Sequence, residues 1–243
     1  MAEPTAAPPE PRTVDAGRGI AWWTDAWALF AKSAGLWIVL ALISFIIFVV
    51  LSAIPVLGSI AASLLTPVFV ASWMLAARKL EAGGSLEVGD LFSAFQDKLT
   101  PLLVLGALLL AASVVILFAV GALGFGAVAG MLMGGSQNSV GGIMAGLGAG
   151  MVALLVGLVL GALVAMAFWF APALVVFRNV APVDAIKASF AANLKNVMAF
   201  LVYGALYFVA AIVASIPFGL GWVVLVPLSV LTVYVSYQEV FGE

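Results

Sequence analysis

The chain contains no cysteine and no histidine, and only 8% of its 243 residues are charged. Without cysteine there is no disulfide, thiolate nucleophile or cysteine metal site, and the redox compartment cannot be read from cysteine usage. Without histidine the commonest general base and metal ligand is missing too, so no cofactor or metal is expected. Nine basic and eleven acidic residues leave a formal charge of −2. That balance offers no basic excess for nucleic acid and no acidic tract for a solvated tail. What is present is apolar. Hydrophobic residues make up 65% of the chain and the mean hydropathy is +1.28, whereas soluble domains carry about 25% charged residues. The composition is that of an integral membrane protein.

Residues 1–18 hold Pro4, Pro8, Pro9 and Pro11 among alanines and charges. They carry too little apolar surface to order themselves and read as a disordered cytoplasmic tail. No apolar core follows a basic start, so they do not read as a signal peptide.

The remaining charges divide the chain. There are 45 residues without a charged group between Lys32 and Arg78, 79 between Lys98 and Arg178, and 43 between Lys195 and Glu239. A spanning helix needs about 20 apolar residues, so the two shorter gaps each hold a pair of spans. These are placed near Gly35 to Ile54, Ser59 to Ala77, Val197 to Ile216 and Gly219 to Tyr237. The turns carry Ile54-Pro55 and Ile216-Pro217 followed by glycine, which end one helix and start the next. Parity decides the long gap. All nine Lys and Arg lie outside the gaps, and an even number of spans in each puts every one on the cytoplasmic side. The expectation is therefore two spans, near Pro101 to Phe125 and Ile143 to Phe170, joined by the Gly-rich 134–140 segment. That makes six spans with both termini cytoplasmic.

Each pair of spans follows a short amphipathic stretch. Residues 182–195 gather Val183, Ile186, Phe190 and Leu194 opposite Asp184, Lys187 and Lys195, as a helix lying in the interface does. Near residues 20–33, Ile20, Trp23, Trp27 and Phe30 oppose Asp25 and Lys32. Near 88–99, Val88, Leu91, Phe92, Phe95 and Leu99 oppose Asp90, Ser93 and Asp97. The first and last copies share Ile-Pro at the hairpin tip and a second proline in the returning span, Pro67 and Pro227. The pattern predicts one membrane domain, 19–243, of three parallel repeats at about 19–80, 85–177 and 182–241.

In the middle copy, Gly142, Gly146, Gly150, Gly157 and Gly161 recur mostly at intervals of four, which lets helix backbones approach in lipid. Packing of the third span on the fourth is the preferred reading; a homo-oligomer contact is the sharper one. Pro67, Pro172 and Pro227 each remove a backbone donor and can kink a span. Arg78, Lys79, Arg178, Lys187 and Lys195 border the cytoplasmic leaflet, where basic residues attract anionic lipid headgroups by about 1 kcal/mol each. No charge falls in the middle of a span, which argues against ion-coupled transport, proton relay and intramembrane hydrolysis. Ser44, Ser63, Ser113 and Ser215 have no base beside them and read as helix-packing residues.

The body from about Gly19 to Phe241 carries Ile54-Pro-Val-Leu-Gly58, Leu64-Leu-Thr-Pro-Val-Phe69, Asp90-Leu-Phe-Ser-Ala-Phe95 and Ala171-Pro-Ala-Leu-Val-Val-Phe177. In these it resembles a family of six-span bacterial inner-membrane proteins of unknown function. More remotely, it is similar to the membrane domain fused to some glycerophosphodiester phosphodiesterases. The catalytic carboxylates and histidine of that enzyme have no counterpart here, so the resemblance implies location and fold and no activity.

The reading is an all-α integral membrane bundle of six transmembrane helices with three cytoplasmic interfacial helices, not an enzyme. It would act in the bacterial inner membrane as a scaffold or accessory partner of another membrane protein, through the polar faces around Asp25, Asp90 and Asp184. The alternative is a passive transporter or lipid-handling protein that binds an apolar or amphipathic molecule between the repeats. That alternative calls for a central cavity lined by serine and tyrosine, including Tyr203 and Tyr207.

Overall fold

A computed structural model describes residues 6–133 and 140–242, and their side chains except at 127, 130–133, 140, 142 and 143. In chain order the elements are α1 (Arg18–Ala31), α2 (Ala34–Ser52), α3 (Leu57–Glu81), a 3-10 turn (Val88–Phe92), α4 (Ala94–Asp97), α5 (Leu99–Met133), α6 (Val140–Phe168), α7 (Ala171–Arg178), α8 (Pro182–Lys195), α9 (Val197–Ser215) and α10 (Trp222–Phe241). There is no strand among the described residues. Six helical stretches are long and apolar enough to cross a membrane: Ala34–Ser52, Leu57–Glu81, Leu99–Gly126, Met144–Arg178, Val197–Ser215 and Trp222–Phe241. The long gap holds two of them, as parity requires. The third and fourth spans belong to longer helices than expected, because alanine and apolar residues continue the helix to Met133 and from Val140. Residues 134–139 of the expected loop lie outside the described residues.

The order of one short amphipathic segment followed by two long helices occurs three times. In the first and third copies the hairpin tips also match in conformation. Val56 and Phe218, each directly after the proline of an Ile-Pro pair, both take positive φ, 62° and 53°. Bulky residues rarely adopt that region, and the two side chains are strongly exposed.

The chain divides into two compact units, Met1–Ala107 with Met166–Glu243, and Leu108–Ala165. In the first unit, α3 and α10 form the centre and pack on each other. Val68, Met74 and Ala77 of α3 and Leu231, Tyr234 and Tyr237 of α10 are almost wholly buried. The uniformly apolar α2 and α9 instead expose Phe45, Ile46, Phe208 and Val209, side chains that lipid solvates without cost. Close approaches depend on glycine: a Cβ at Gly19 would collide with the Ala199 carbonyl of α9, and one at Gly106 with the Leu64 backbone of α3. In the second unit, the distal parts of α5 and α6 bury Ala153 and expose Leu117, Phe118, Leu147 and Leu154.

The three short segments are amphipathic, and the apolar residues of each divide between an inward and an outward face. In α1 the buried face is Trp22, Ala26, Leu29 and Phe30, while Ile20 and Trp27 are each 54% exposed. In α8 the buried face is small, Ala185, Ala188, Ser189 and Ala192, and Val183 and Leu194 point outward. The middle segment is a 3-10 turn and a single helical turn, with Leu91 and Ala94 buried and Val88 and Phe92 exposed. Each segment therefore has two apolar faces, one for protein and one for lipid. The buried polar groups satisfy broken backbone. At the α6–α7 break, the Ser189 hydroxyl accepts from the Phe170 amide at 2.9 Å and donates to the Met166 carbonyl at 2.8 Å. The Ser72 hydroxyl accepts from the Ala94 amide at 3.1 Å.

The N-terminal segment departs from the expectation of disorder. Residues 6–17 run along the body as a strap. The Ala6 amide donates to the Asn179 carbonyl at 3.1 Å and the Arg12 amide to the Val240 carbonyl at 2.7 Å. Buried Asn196 reads the strap in both directions: its Oδ1 accepts from the Val14 amide at 2.7 Å and its Nδ2 donates to the Arg12 carbonyl at 2.9 Å. A proline-rich segment cannot build its own core, but here it borrows partners already ordered by the helices. Replacing Asn196 with Ala removes both strap bonds and should cost about 1–3 kcal/mol. Limited proteolysis in detergent should then cleave within 6–17 ahead of the body, and cleavage at the wild-type rate would refute this role.

Candidate functional site

Charges far apart in sequence meet where the ends of α3 and α10, the start of α1 and the α7–α8 link come together. Glu239 in the last turn of α10 accepts from the Trp22 indole at 2.6 Å and pairs with Arg18 Nε at 2.6 Å. That hydrogen bond raises the pKa of the Arg18 guanidinium, against the desolvation that would lower it. Glu81, ending α3, accepts from the Tyr234 hydroxyl and from Gln238 Nε2, both at 2.6 Å. Lys98 donates to Asn179 Oδ1 at 3.1 Å. These bonds hold the two central helices and α1 in register.

The five basic residues expected at lipid headgroups are engaged to differing degrees. Lys79 Nζ sits 3.0 Å from Asp90 Oδ1 and 3.6 Å from Glu87. Arg78 is exposed with its guanidinium 5.0 Å from the centre of the Phe177 ring, a cation–π contact. Lys187 pairs with Asp184 at 3.3 Å across one helical turn, and Lys195 donates to the Pro11 carbonyl at 2.7 Å. Arg178 ends α7. The carboxylates expected to face a partner are likewise spoken for: Asp25 by Arg18 at 3.3 Å, Asp90 by Lys79, and Asp184 by Lys187.

The glycine stripe is uneven. A side chain at Gly157 would meet Val120 of α5 at 3.2 Å, while Gly150 and Gly161 have nothing within 4 Å. Gly146 is buried, and Gly142 lies outside the residues whose surroundings are described. The glycines that permit close backbone approach, Gly19 and Gly106, stand alone in sequence with no repeat spacing to draw notice.

The other feature of the first unit is a cavity of about 530 Å³, within the range of small-molecule pockets. Ala41, Leu42, Ser44, Phe45 and Phe48 of α2 form one wall, and Thr66, Phe69, Val70 and Trp73 of α3 the second. Phe218, Gly219 and Leu220 of the turn, with Trp222, Val223, Val226 and Val230 of α10, form the remaining side, and the pocket is open at the surface beside Phe45, Phe218 and Leu220, which are exposed. It therefore lies between elements of the first and third copies, beside both central prolines, and no charged residue lines it. Phe218 is held at the rim by its left-handed backbone and is fully exposed. Tyr203 and Tyr207, expected to line a cavity, do not: they pack against Trp23 at 5.5 and 6.3 Å between ring centres, and Trp169 stands edge-on to Tyr203 at 5.3 Å. Aromatic side chains on α1, α9 and the α6–α7 break fill that space with one another.

The fold defines a multi-pass α-helical membrane protein. The chain is 31% identical over 224 residues to a protein of Burkholderia thailandensis named as a probable inner membrane protein, a match covering 86% of this chain and 78% of that one. It belongs to the family of that inner-membrane protein. No family model matches the chain, and neither does any solved structure. The relative's name bears on location alone, and no comparison lends weight to the remote likeness to phosphodiesterase membrane domains.

The Glu239 cluster yields a test. Glu239→Ala strands the fully buried Trp22 indole N–H and should destabilise the protein by about 1–3 kcal/mol. Glu239→Gln keeps an acceptor for it and should cost less. Equal thermal shifts for the two variants would show that the Trp22 bond contributes nothing.

Proposed function

We propose that this is a non-catalytic inner-membrane protein that accommodates an apolar or amphipathic molecule between its first and third repeats. The observation that carries this reading is the apolar cavity walled by α2, α3, the 216–221 turn and α10. Two neighbouring features support it. The carboxylates that a partner would use are paired within the chain, which weakens the scaffold reading. Both central prolines adjoin the cavity walls, where helix irregularity is tolerated because the lining is protein and not bulk lipid. The scaffold reading draws on a different observation, the apolar surface exposed by the distal α5–α6 hairpin, which another membrane protein could cover.

Extraction in patches of native membrane followed by mass spectrometry separates the two. A lipid or small molecule enriched over the bulk membrane, and lost when Ala41→Phe fills the cavity, supports the lipid-handling role. A stoichiometric protein partner, with identical lipids in both forms, supports the scaffold role and overturns the first.

The same reading places both termini and the charged cluster in the cytoplasm, because every basic residue lies at one end of the spans. The chain has no cysteine of its own, so single cysteines report cleanly. Leu57→Cys at a hairpin tip should react with an impermeant maleimide on intact cells, and Gly83→Cys only after the membrane is opened. The reverse pattern would invert the topology.

A further inference from the structure

The cavity between α2, α3 and α10 is a groove that runs along its helices. The lining positions extend from Ala41 to Phe48 on α2, from Thr66 to Trp73 on α3 and from Trp222 to Val230 on α10, and within each helix they share one face. Two turns of three helices therefore form its length, about 10–12 Å at 1.5 Å per residue. One leaflet offers about 15 Å of hydrocarbon, half of the bilayer's apolar core. The lining starts at the hairpin turn, with Phe218 and Leu220, and follows α10 inward. The groove thus lies in the leaflet at the hairpin tips and covers most of its depth.

Its floor is recessed and its rim is not. Phe69 and Trp73 of α3 are buried, whereas Phe45, Phe218 and Leu220 at the opening are exposed. The opening faces sideways, toward lipid, and reaches from the turn down α2 to Phe45. The walls brace one another: Phe48 and Phe69 pack edge to face at 5.5 Å, and Trp73 packs on Trp37 at 5.8 Å. An empty groove would forfeit dispersion contacts along all three walls, and an apolar cavity does not take up water. Hydrocarbon from the adjoining leaflet fills it instead.

The form of that hydrocarbon follows from where an occupant's polar atoms are best placed. Both hydroxyls of the lining are withdrawn: Thr66 donates to the Ala62 carbonyl at 2.7 Å, and the Ser44 oxygen is buried. The Trp222 indole N–H donates to Ser215 Oγ at 3.1 Å. Polar groups gain little inside the groove and are better hydrated at its mouth, which lies at the turn, where the glycerol esters of a phospholipid lie. A molecule apolar from end to end would leave hydrocarbon at that interfacial mouth. Nor is there a charge to read a headgroup, since the lining and both hairpin tips fall within the stretches between Lys32 and Arg78 and between Lys195 and Glu239 that contain no Asp, Glu, Lys or Arg.

We propose that the groove holds one acyl chain of a phospholipid from the leaflet at the hairpin tips, entering sideways between α2 and the 216–221 turn, with glycerol and headgroup left in the interface, and that it is indifferent to the headgroup. This rests on the reading of the cavity as a site for an apolar or amphipathic molecule, and it names that molecule and the leaflet that supplies it.

The test uses the full chain in lipid nanodiscs containing phosphatidylcholine with a photoreactive diazirine midway along one acyl chain, with adducts mapped by mass spectrometry after illumination. Adducts on Val70 and Val230 of the groove should saturate at one lipid per chain as the probe fraction rises. Those on Phe208 and Val209, which α9 exposes to bulk lipid, should rise linearly. Ala41→Phe fills the groove from a buried position and Val226→Phe from an exposed one that the fold tolerates more readily. In each variant that keeps its thermal transition, the groove adducts should fall to the level of those on α9. The same probe built on phosphatidylglycerol should label the groove to the same extent. Groove adducts that rise linearly, that survive Val226→Phe or that depend on the headgroup overturn the proposal. Mass spectrometry of native-membrane extracts separates this failure from failure of the reading beneath it. A molecule other than a phospholipid, enriched with the wild type and lost with Ala41→Phe, overturns the acyl chain and leaves the cavity a binding site. Finding neither a saturable groove adduct nor such a molecule overturns both.

Discussion

Charge is not carried through hydrocarbon, and the first compact unit is arranged around that cost. Its carboxylates and cations are gathered at one end of α3, α10 and α1, where Glu81 and Glu239 each accept two bonds from neighbouring elements. Those bonds tie the last turns of the two central helices to each other and to α1. Beyond them the helices carry no charge, so association depends on close packing and on satisfying every polar group locally. Gly19 and Gly106 allow the closest approaches, and Ser72, Ser189, Asn193 and Asn196 occupy the points where the backbone is interrupted.

A cavity survives at the uncharged end for a related reason. Near the charged cluster, ion pairs and aromatic stacking draw the elements together, and Phe170, Phe177, Tyr237 and Phe241 interlock. Away from it, among the described residues, no side-chain hydrogen bond joins α2 to the start of α10. The third copy's hairpin turn is also held open by its own geometry, with Phe218 and Gly219 at positive φ and the turn amides bonded to the Ile216 and Ser215 carbonyls. The space left between them is bounded by large rigid rings, which cannot collapse into a gap as flexible side chains do.

Much of the architecture was legible from where charge is absent. The gaps of 45, 79 and 43 residues and the one-sided basic residues led to six spans in three hairpins, and the six apolar helices bear this out. The amphipathic segments were legible as elements but not in their orientation. A helical wheel groups residues by polarity, yet Val183 and Leu194 face outward, where lipid accepts large side chains, while Ala185, Ala188, Ser189 and Ala192 seat α8 on the core. The regular glycine stripe drew the eye, while the glycines at true backbone contacts are isolated.

The amino-acid sequence by itself determined the membrane class, the number of spans and the pairing into hairpins, because hydrocarbon solubility is a property of composition and run length. Only the tertiary structure decided which face of each short helix is buried, that residues 6–17 are ordered, and that a cavity lies between the first and third copies. Those outcomes depend on partners brought together from opposite ends of the chain, as Val14 with Asn196 and Trp22 with Glu239, and no local pattern encodes a distance between residues so far apart.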